Sequence, residues 1–422
     1  MMVGHPAPAA VVAATLGTSM STLARKRSRA RTLAVVAAVA LLSLVLLRSS
    51  TAPVPHSSRG GEAPTQRYLS WFRYDSTPSD QELRDAAGRY AVVALRGNDQ
   101  PAAARLRELD PEVTILAYVD LSSVRSYDAG QPVVALSYER AVREGWLAVD
   151  RDGRPIEWEP YPGHWQTTTW DRDYQRAWTQ FAVQVARTPP FDGVIADNAF
   201  YSLAPYSDAL LAGTTSAQQR DALLRAAAEE LVQQAGAAVQ KAQRLFVVNI
   251  SEGRQDLRWW RSLSKFGGGM EENFASWNHS GRPTVADWGD TGWRDQVRLV
   301  ATGPRTIAVT HVAEGDERTA TYGYASFLMA AEPGDGWEAI SDGWSDKVTI
   351  SATEIPLGRP LGKSHDLGGA HYRAFEGGWV IVNPTERSQS VAVPRAEVFS
   401  RMSGEPRVTL PALTGAVFPW TE

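Results

Sequence analysis

FDGVIADNAF, residues Phe191–Phe200, is a short apolar run that stops abruptly at Asp197-Asn198. A second stretch, KFGGGMEENF at Lys265–Phe274, repeats the shape: phenylalanine, glycine, one bulky apolar residue, then carboxylates and asparagine. Superposed, Phe191 meets Phe266, Gly193 meets Gly268, Ile195 meets Met270, Asp197 meets Glu272 and Asn198 meets Asn273. Side chains on a strand alternate between faces. Asp197 therefore shares a face with Gly193 and Ile195, and Glu272 with Gly268 and Met270. If that face points into a barrel, both carboxylates stand at one rim, and the small residues beneath them leave room for a ligand. Glu271 then points outward, unless a bulge after the three glycines exchanges it with Glu272. The plain structural alternative is that Asp197 caps the next helix or bridges to a neighbouring strand.

Working outward, strand-like runs recur as RYLSWFRY, YAVVALRG, EVTILAYVD, RLFVVNIS and RTIAVTHV, with an eighth in GWEAISD. Helical patterns lie between them, among them PSDQELRDAAGR, YQRAWTQFAVQVAR, ATYGYASFLMAAE and the long SAQQRDALLRAAAEELVQQAGAAVQKAQ. Strands alternating with helices imply parallel βαβ units. Seven or eight of them over 67–345 match the span of a (β/α)8 TIM barrel. An open doubly wound sheet is the alternative, and no G-x-G-x-x-G follows the first strand to support its dinucleotide-binding form. From 346 to 422 the helical period disappears. KVTISATEIPLG, HYRAFEGGWVIVNPTERSQSVAVP and RVTLPALTGAVFPW read as short strands between turns, forming a small antiparallel β domain.

The first residues are a different material. A basic segment, 1–32, carries Arg25, Lys26, Arg27, Arg29 and Arg31 ahead of an apolar run at 33–48. That pattern fits either a cleaved signal peptide or a single membrane anchor, with the rest of the chain extracytoplasmic, secreted or held at the membrane. Residues 49–66, rich in Ser, Pro and Gly, read as a flexible linker.

Six of the 43 basic residues and none of the 47 acidic ones precede Thr51, so the remainder carries a formal charge of about −10. Such a surface is a poor partner for nucleic acid. Cysteine is absent, which excludes disulfides, thiolate metal sites and cysteine nucleophiles. There is no H-E-x-x-H, no G-x-S-x-G and no calcium loop, so no metal or other cofactor is expected. GRPLGKS, Gly358–Ser364, imitates a phosphate loop but has one residue too few between its glycines and lies in the β-rich tail; it reads as a turn.

Other strand ends supply polar groups: Tyr118 and Asp120 share a face in TILAYVD, Asn249 and Glu252 follow LFVV, and His311 follows TIAVT. With Asn198 and Glu271 they would surround a pocket suited to a polyhydroxylated ligand. The fifteen tryptophans are roughly three times what average composition suggests. Trp71, Trp146, Trp158, Trp165, Trp170, Trp277, Trp288 and Trp293 fall at strand ends or in loops, where flat rings suit sugar faces. The competing reading is that such rings fill the interface between barrel and helices.

Together with WLAVDRDGRPI…TTTWDRDYQRAW and the closing PLGKSHDLGGAHYRAFEGGWVIVNPT, these stretches resemble the bacterial hypothetical glycosyl-hydrolase-like barrels. Those families carry a D-G-[apolar]-x-x-D-N strand and a tail around V-x-V-N-P-T, and are distantly similar to polygalactosaminidase and α-galactosidase barrels. The likeness covers most of 67–384. It implies one working carboxylate after strand four, here Asp197, and another after strand six, here Glu272 or alternatively Glu271. FGGGMEEN departs from the strand-four pattern in lacking an Asp after its Phe. The expected function is an extracytoplasmic glycoside hydrolase cleaving a polysaccharide with two carboxylates. The alternative is an envelope protein that binds carbohydrate without cutting it.

Overall fold

The computed structural model describes residues 67–128, 134–276, 292–341, 347–393 and 407–420. The basic segment, the apolar run and the linker of the N-terminus lie outside these residues, as do Trp277 and Trp288.

Eight parallel strands form one sheet in chain order: β1 (Ser70–Arg73), β2 (Val92–Arg96), β3 (Thr114–Asp120), β4 (Gly193–Ala199), β5 (Leu245–Ile250), β6 (Gly267–Glu271), β7 (Thr306–His311) and β8 (Gly336–Ile340). Between them run α1 (Asp80–Ala86), α2 (Gln100–Leu109), α3 (Arg172–Arg187), α4 (Ala217–Lys241), α5 (Leu257–Ser264), α6 (Gly292–Val300) and α7 (Glu317–Leu328). This is the (β/α)8 barrel expected from the sequence. Helix starts are chemically explicit. Ser79 and Glu82 form a reciprocal capping box on α1, and the Asp171 carboxylate accepts from the Asp173 and Tyr174 amides to start α3.

The period of two sorts every strand into two cores. Inward residues, among them Ala94, Leu116, Ile195, Val247, Met270 and Val309, pack together inside the barrel. Their neighbours Leu95, Ala117, Ala196 and Val248 face the helices. The glycines in β4 and β6 have another use than leaving space for a ligand. A Cβ on Gly193 would lie 2.0 Å from the Leu245 carbonyl oxygen, and one on Gly268 would lie 2.7 Å from that of Arg305. Glycine there allows neighbouring backbone to approach.

The barrel closes where Leu69 bridges Trp337 and the Trp337 N–H donates to the Tyr68 carbonyl at 2.9 Å. Beyond that bridge, side chains replace the ladder. Lys347 Nζ donates to the Ser70 carbonyl at 3.4 Å. Lys347 and Glu338 form a buried ion pair at 3.3 Å. Burial pulls the lysine down to about 7 and pushes the carboxyl up. Removing one partner of a buried pair strands the other, at roughly 3–5 kcal/mol. Lys347→Met is therefore expected to lose about 3 kcal/mol in denaturant unfolding. A loss below about 1 kcal/mol would show that the pair does not hold the seam.

The tail adds one antiparallel sheet of β9 (His365–Asp366), β10 (His371–Ala374), β11 (Gly378–Asn383) and β14 (Thr414–Pro419). A hairpin of β12 (Gln389–Ala392) and β13 (Arg407–Leu410) accompanies it. It docks on α7, where Arg373 donates to the Leu328 and Ala331 carbonyls at 3.0 and 2.7 Å. KVTISATEIPLG is not a strand: Lys347 makes one bridge to Ile340, and Ser351–Glu354 is a 3-10 turn.

Candidate active site

The C-terminal ends of the strands open into a cavity of about 610 Å³. Tyr74 follows β1, Arg96 ends β2, Tyr118 lies near the end of β3, Asp197 and Asn198 lie on β4, Glu272 follows β6, and His311 ends β7. This is the mouth at which TIM barrels carry their chemistry.

Asp197 reaches the cavity because β4 stays regular through Ala196 and then bulges before Ala199. Asn198 takes up the bulge with φ of 66°, a left-handed conformation that asparagine tolerates better than most residues. Its side chain ties the neighbourhood together. Asn198 Nδ2 donates to Asp120 at 3.1 Å, and its Oδ1 accepts from the Tyr206 hydroxyl at 3.1 Å. The abrupt Asp-Asn ending of the strand is thus one carboxylate facing the cavity and one amide bracing the turn.

Three donors converge on Asp197. Tyr118 donates through its hydroxyl in a short bond, Asn249 Nδ2 donates at 2.6 Å, and the Asn198 N–H donates at 2.8 Å. The Asn249 amide also favours the charged form of Glu272, against the burial of that carboxyl. Burial, and after it the charge of Asp120, push the Asp197 carboxyl above its ordinary range, while the three donors pull the other way. For Glu272 burial is again the largest cause and the Asp197 charge the next; the carboxyl is pushed up to about 8.

Asp120 is fully buried and does not line the cavity. It accepts from the Ser122 and Ser123 amides at 3.0 and 2.9 Å and from Ser123 Oγ at 2.7 Å. Glu271 faces away, buried against Arg254 at 2.9 Å, while Glu272 lines the cavity. Glu252, pushed up to about 7 chiefly by burial, also lies outside the cavity. Trp71 belongs elsewhere: it stacks on Tyr90 beneath Lys347 and lines a separate cavity of about 390 Å³. Tyr118, Asn198 and His311 do line the cavity with the two acids.

The aromatic lining is mostly tyrosine. Of the tryptophans read as sugar platforms, only Trp158 is at the wall among the described residues, and it is almost wholly covered, stacked on Tyr206 at 4.1 Å. Trp146 and Trp293 are core residues. Tyr127 and Tyr161 stand exposed at the mouth on either side of His164, whose Nε2 bonds the Tyr127 hydroxyl at 2.6 Å. Burial, then Arg125, pull His164 down to about 4, so it is neutral at pH 7.

Sequence reasoning missed Arg125, His164, Tyr161 and Tyr206. Arg125 and His164 pair across two short antiparallel strands, Ser123–Arg125 with His164–Gln166, in the long connection after β3. Such a loop carries no period from which its inward side could be read. No cluster of metal-ligating side chains occurs among the described residues.

A family model described as hypothetical glycosyl hydrolase family 15 matches residues 107–379, more than half of the chain. A comparison with curated proteins gives no match. Among solved structures, a Flavobacterium johnsoniae GH31 dextranase complexed with glucose aligns at 12% identity and a TM-score of 0.49. The alignment covers 85% of this chain and 52% of the dextranase, so the chain spans about half of that enzyme's length. A GH36 α-galactosidase from Geobacillus stearothermophilus aligns at 9% identity and a TM-score of 0.47, covering 84% and 55% of the two chains. Aspergillus fumigatus Ega3, complexed with galactosamine, aligns at 9% identity and a TM-score of 0.40, covering 68% and 95%.

Proposed function

The chain belongs to hypothetical glycosyl hydrolase family 15, and from that premise we propose that it hydrolyses a glycosidic bond with Asp197 as nucleophile and Glu272 as general acid and base. One observation carries the reading: two carboxyls from non-adjacent strands line one cavity at the barrel mouth, and their surroundings raise both. Glycosidic cleavage asks for one carboxyl that protonates the leaving oxygen and one that meets the anomeric carbon. A carboxyl separation of ~5–5.5 Å goes with a covalent, retaining mechanism, and a gap of ~6.5–9.5 Å with inversion.

The acid assignment follows from hydrogen bonding. Glu272, with fewer donors, holds its proton to about pH 8 and can deliver it. Asp197, with three, is the better-stabilised anion. Tyr161 and Tyr127 at the mouth suit a sugar chain leaving the cavity. An extracytoplasmic location, secreted or membrane-anchored, belongs to the same proposal and rests on the first fifty residues of the sequence. No helix among the described residues is long and apolar enough to cross a membrane.

The test is a panel of bacterial exopolysaccharides incubated with the protein and assayed for reducing ends. New ends that increase with time are expected for at least one polymer. Retention on a polymer in affinity electrophoresis, with no new ends from any, would replace the hydrolase with a carbohydrate-binding protein.

A further inference from the structure

Tyr118 has one proton to give, and its surroundings decide where that proton goes. Its hydroxyl touches the Asp197 carboxylate on one side and Arg125 Nη2 on the other, the latter at 3.3 Å. A guanidinium only donates. A hydroxyl that already accepts from Arg125 is left to direct its own hydrogen at Asp197. The ring cannot turn aside: Tyr74 stacks on it at 4.3 Å between centroids, and the Arg125 guanidinium lies 5.6 Å from its centroid.

Arg125 has little other employment. Its side chain is only 12% exposed, and among the described residues its one carboxylate partner is Asp120 at 4.0 Å and its Nε has no hydrogen-bond partner. A buried cation held so loosely by counter-charges is not explained as a structural ion pair.

We propose that Arg125 is a positioning residue: by donating to Tyr118 it commits the tyrosine's proton to Asp197, and so fixes Asp197, rather than Glu272, as the carboxylate that meets the substrate ionised. The charged and titratable groups around Asp197 are Tyr118 and Asp120 from β3, Arg125 and His164 from the antiparallel pair after β3, Tyr74 beyond β1, Glu272 beyond β6, and Tyr161 and Tyr206 from the loops; Arg96 of β2, bound to Asp99 at 2.9 Å, and His311 of β7 line the same cavity. His164 is neutral above about pH 4 and the tyrosines stay protonated, so over the working range Arg125 is the cation that reaches Asp197 through Tyr118.

The inference deepens the glycosidase reading and rests on it for its catalytic meaning, but its test needs no substrate. Carboxyl-labelled Asp and Glu are titrated by carbon-13 NMR in the wild type, Arg125→Met and Tyr118→Phe, with folding checked by thermal unfolding. In the wild type the Asp197 carboxyl is expected to ionise at lower pH than Glu272. In each variant the Asp197 midpoint moves up by roughly one pH unit, about a tenfold change in proton affinity. Arg125→Lys, which keeps the charge without the fork, recovers only part of the shift. Should Arg125→Met fail to fold, Tyr118→Phe and the wild-type order still decide. Glu272 ionising first, or folded variants titrating like the wild type, would overturn the assignment and leave the hydrolysis assay untouched.

Discussion

Asp197→Asn is expected to lower turnover of any polysaccharide that the wild type cleaves by at least about 10³-fold, equivalent to roughly 4 kcal/mol of transition-state stabilisation. The substitution keeps the shape of the side chain and a carbonyl oxygen for Asn249 and the Asn198 N–H. Binding should therefore survive, and the thermal midpoint should stay near that of the wild type or rise, because a raised, buried carboxyl has been removed. What disappears is the anion that the proposed mechanism sets against the anomeric carbon. Initial rates from reducing ends, beside affinity electrophoresis on the same polymer, separate the two effects. A variant that cleaves at even a tenth of the wild-type rate would remove Asp197 from the mechanism.

The second large effect is on pH. On the proposed mechanism Glu272 carries its proton in the first step, and burial together with Asp197 holds that proton to about pH 8. kcat/KM should thus be flat below that point on its alkaline side and fall about tenfold per pH unit above it. Glu272→Gln should abolish the alkaline limb and lower the rate on natural polymers by about 10²–10⁴-fold. The same group leaves a mark on stability. Its folded value is raised above the unfolded one, so its contribution is fully present below the unfolded value and is lost as pH rises through about 8. Unfolding free energies of Glu272→Gln should show less of that decline. An alkaline limb unchanged by the substitution would assign the acid to another residue.

These effects were legible in the sequence to different depths. The alternation in FDGVIADN and FGGGMEEN was enough to put Asp197 and Glu272 on inward faces, because a barrel strand has only two sides and one of them must be apolar below the rim. Strand and helix order followed from the same periodicity, down to the Ser79 cap. Three features were not readable. The glycines looked like empty space, yet what occupies their missing side chains is backbone from Leu245 and Arg305, distant in sequence. Trp71 looked like a sugar platform, but its position on β1 turns it outward toward Tyr90. Arg125, His164 and Tyr161 lie in a connection whose path is set by hydrogen bonds such as Trp158 N–H to the His164 carbonyl at 2.9 Å, not by hydrophobic pattern. The tail motif also changes meaning. Asn383 of V-x-V-N-P-T is wholly buried and donates to the Arg387 and Pro411 carbonyls, both at 2.7 Å, which makes it a brace for the tail sheet.

The division of labour between the two acids can be tested in one intact-mass measurement. Glu272→Gln is mixed with a glycosyl fluoride of the sugar that the polysaccharide screen identifies. Fluoride leaves without acid help, so the first step proceeds while the second, lacking its base, stalls. The protein is then expected to gain the mass of one glycosyl unit, on the peptide that contains Asp197. An adduct on any other residue, or turnover at the wild-type rate with no adduct, would contradict the pairing of Asp197 with Glu272.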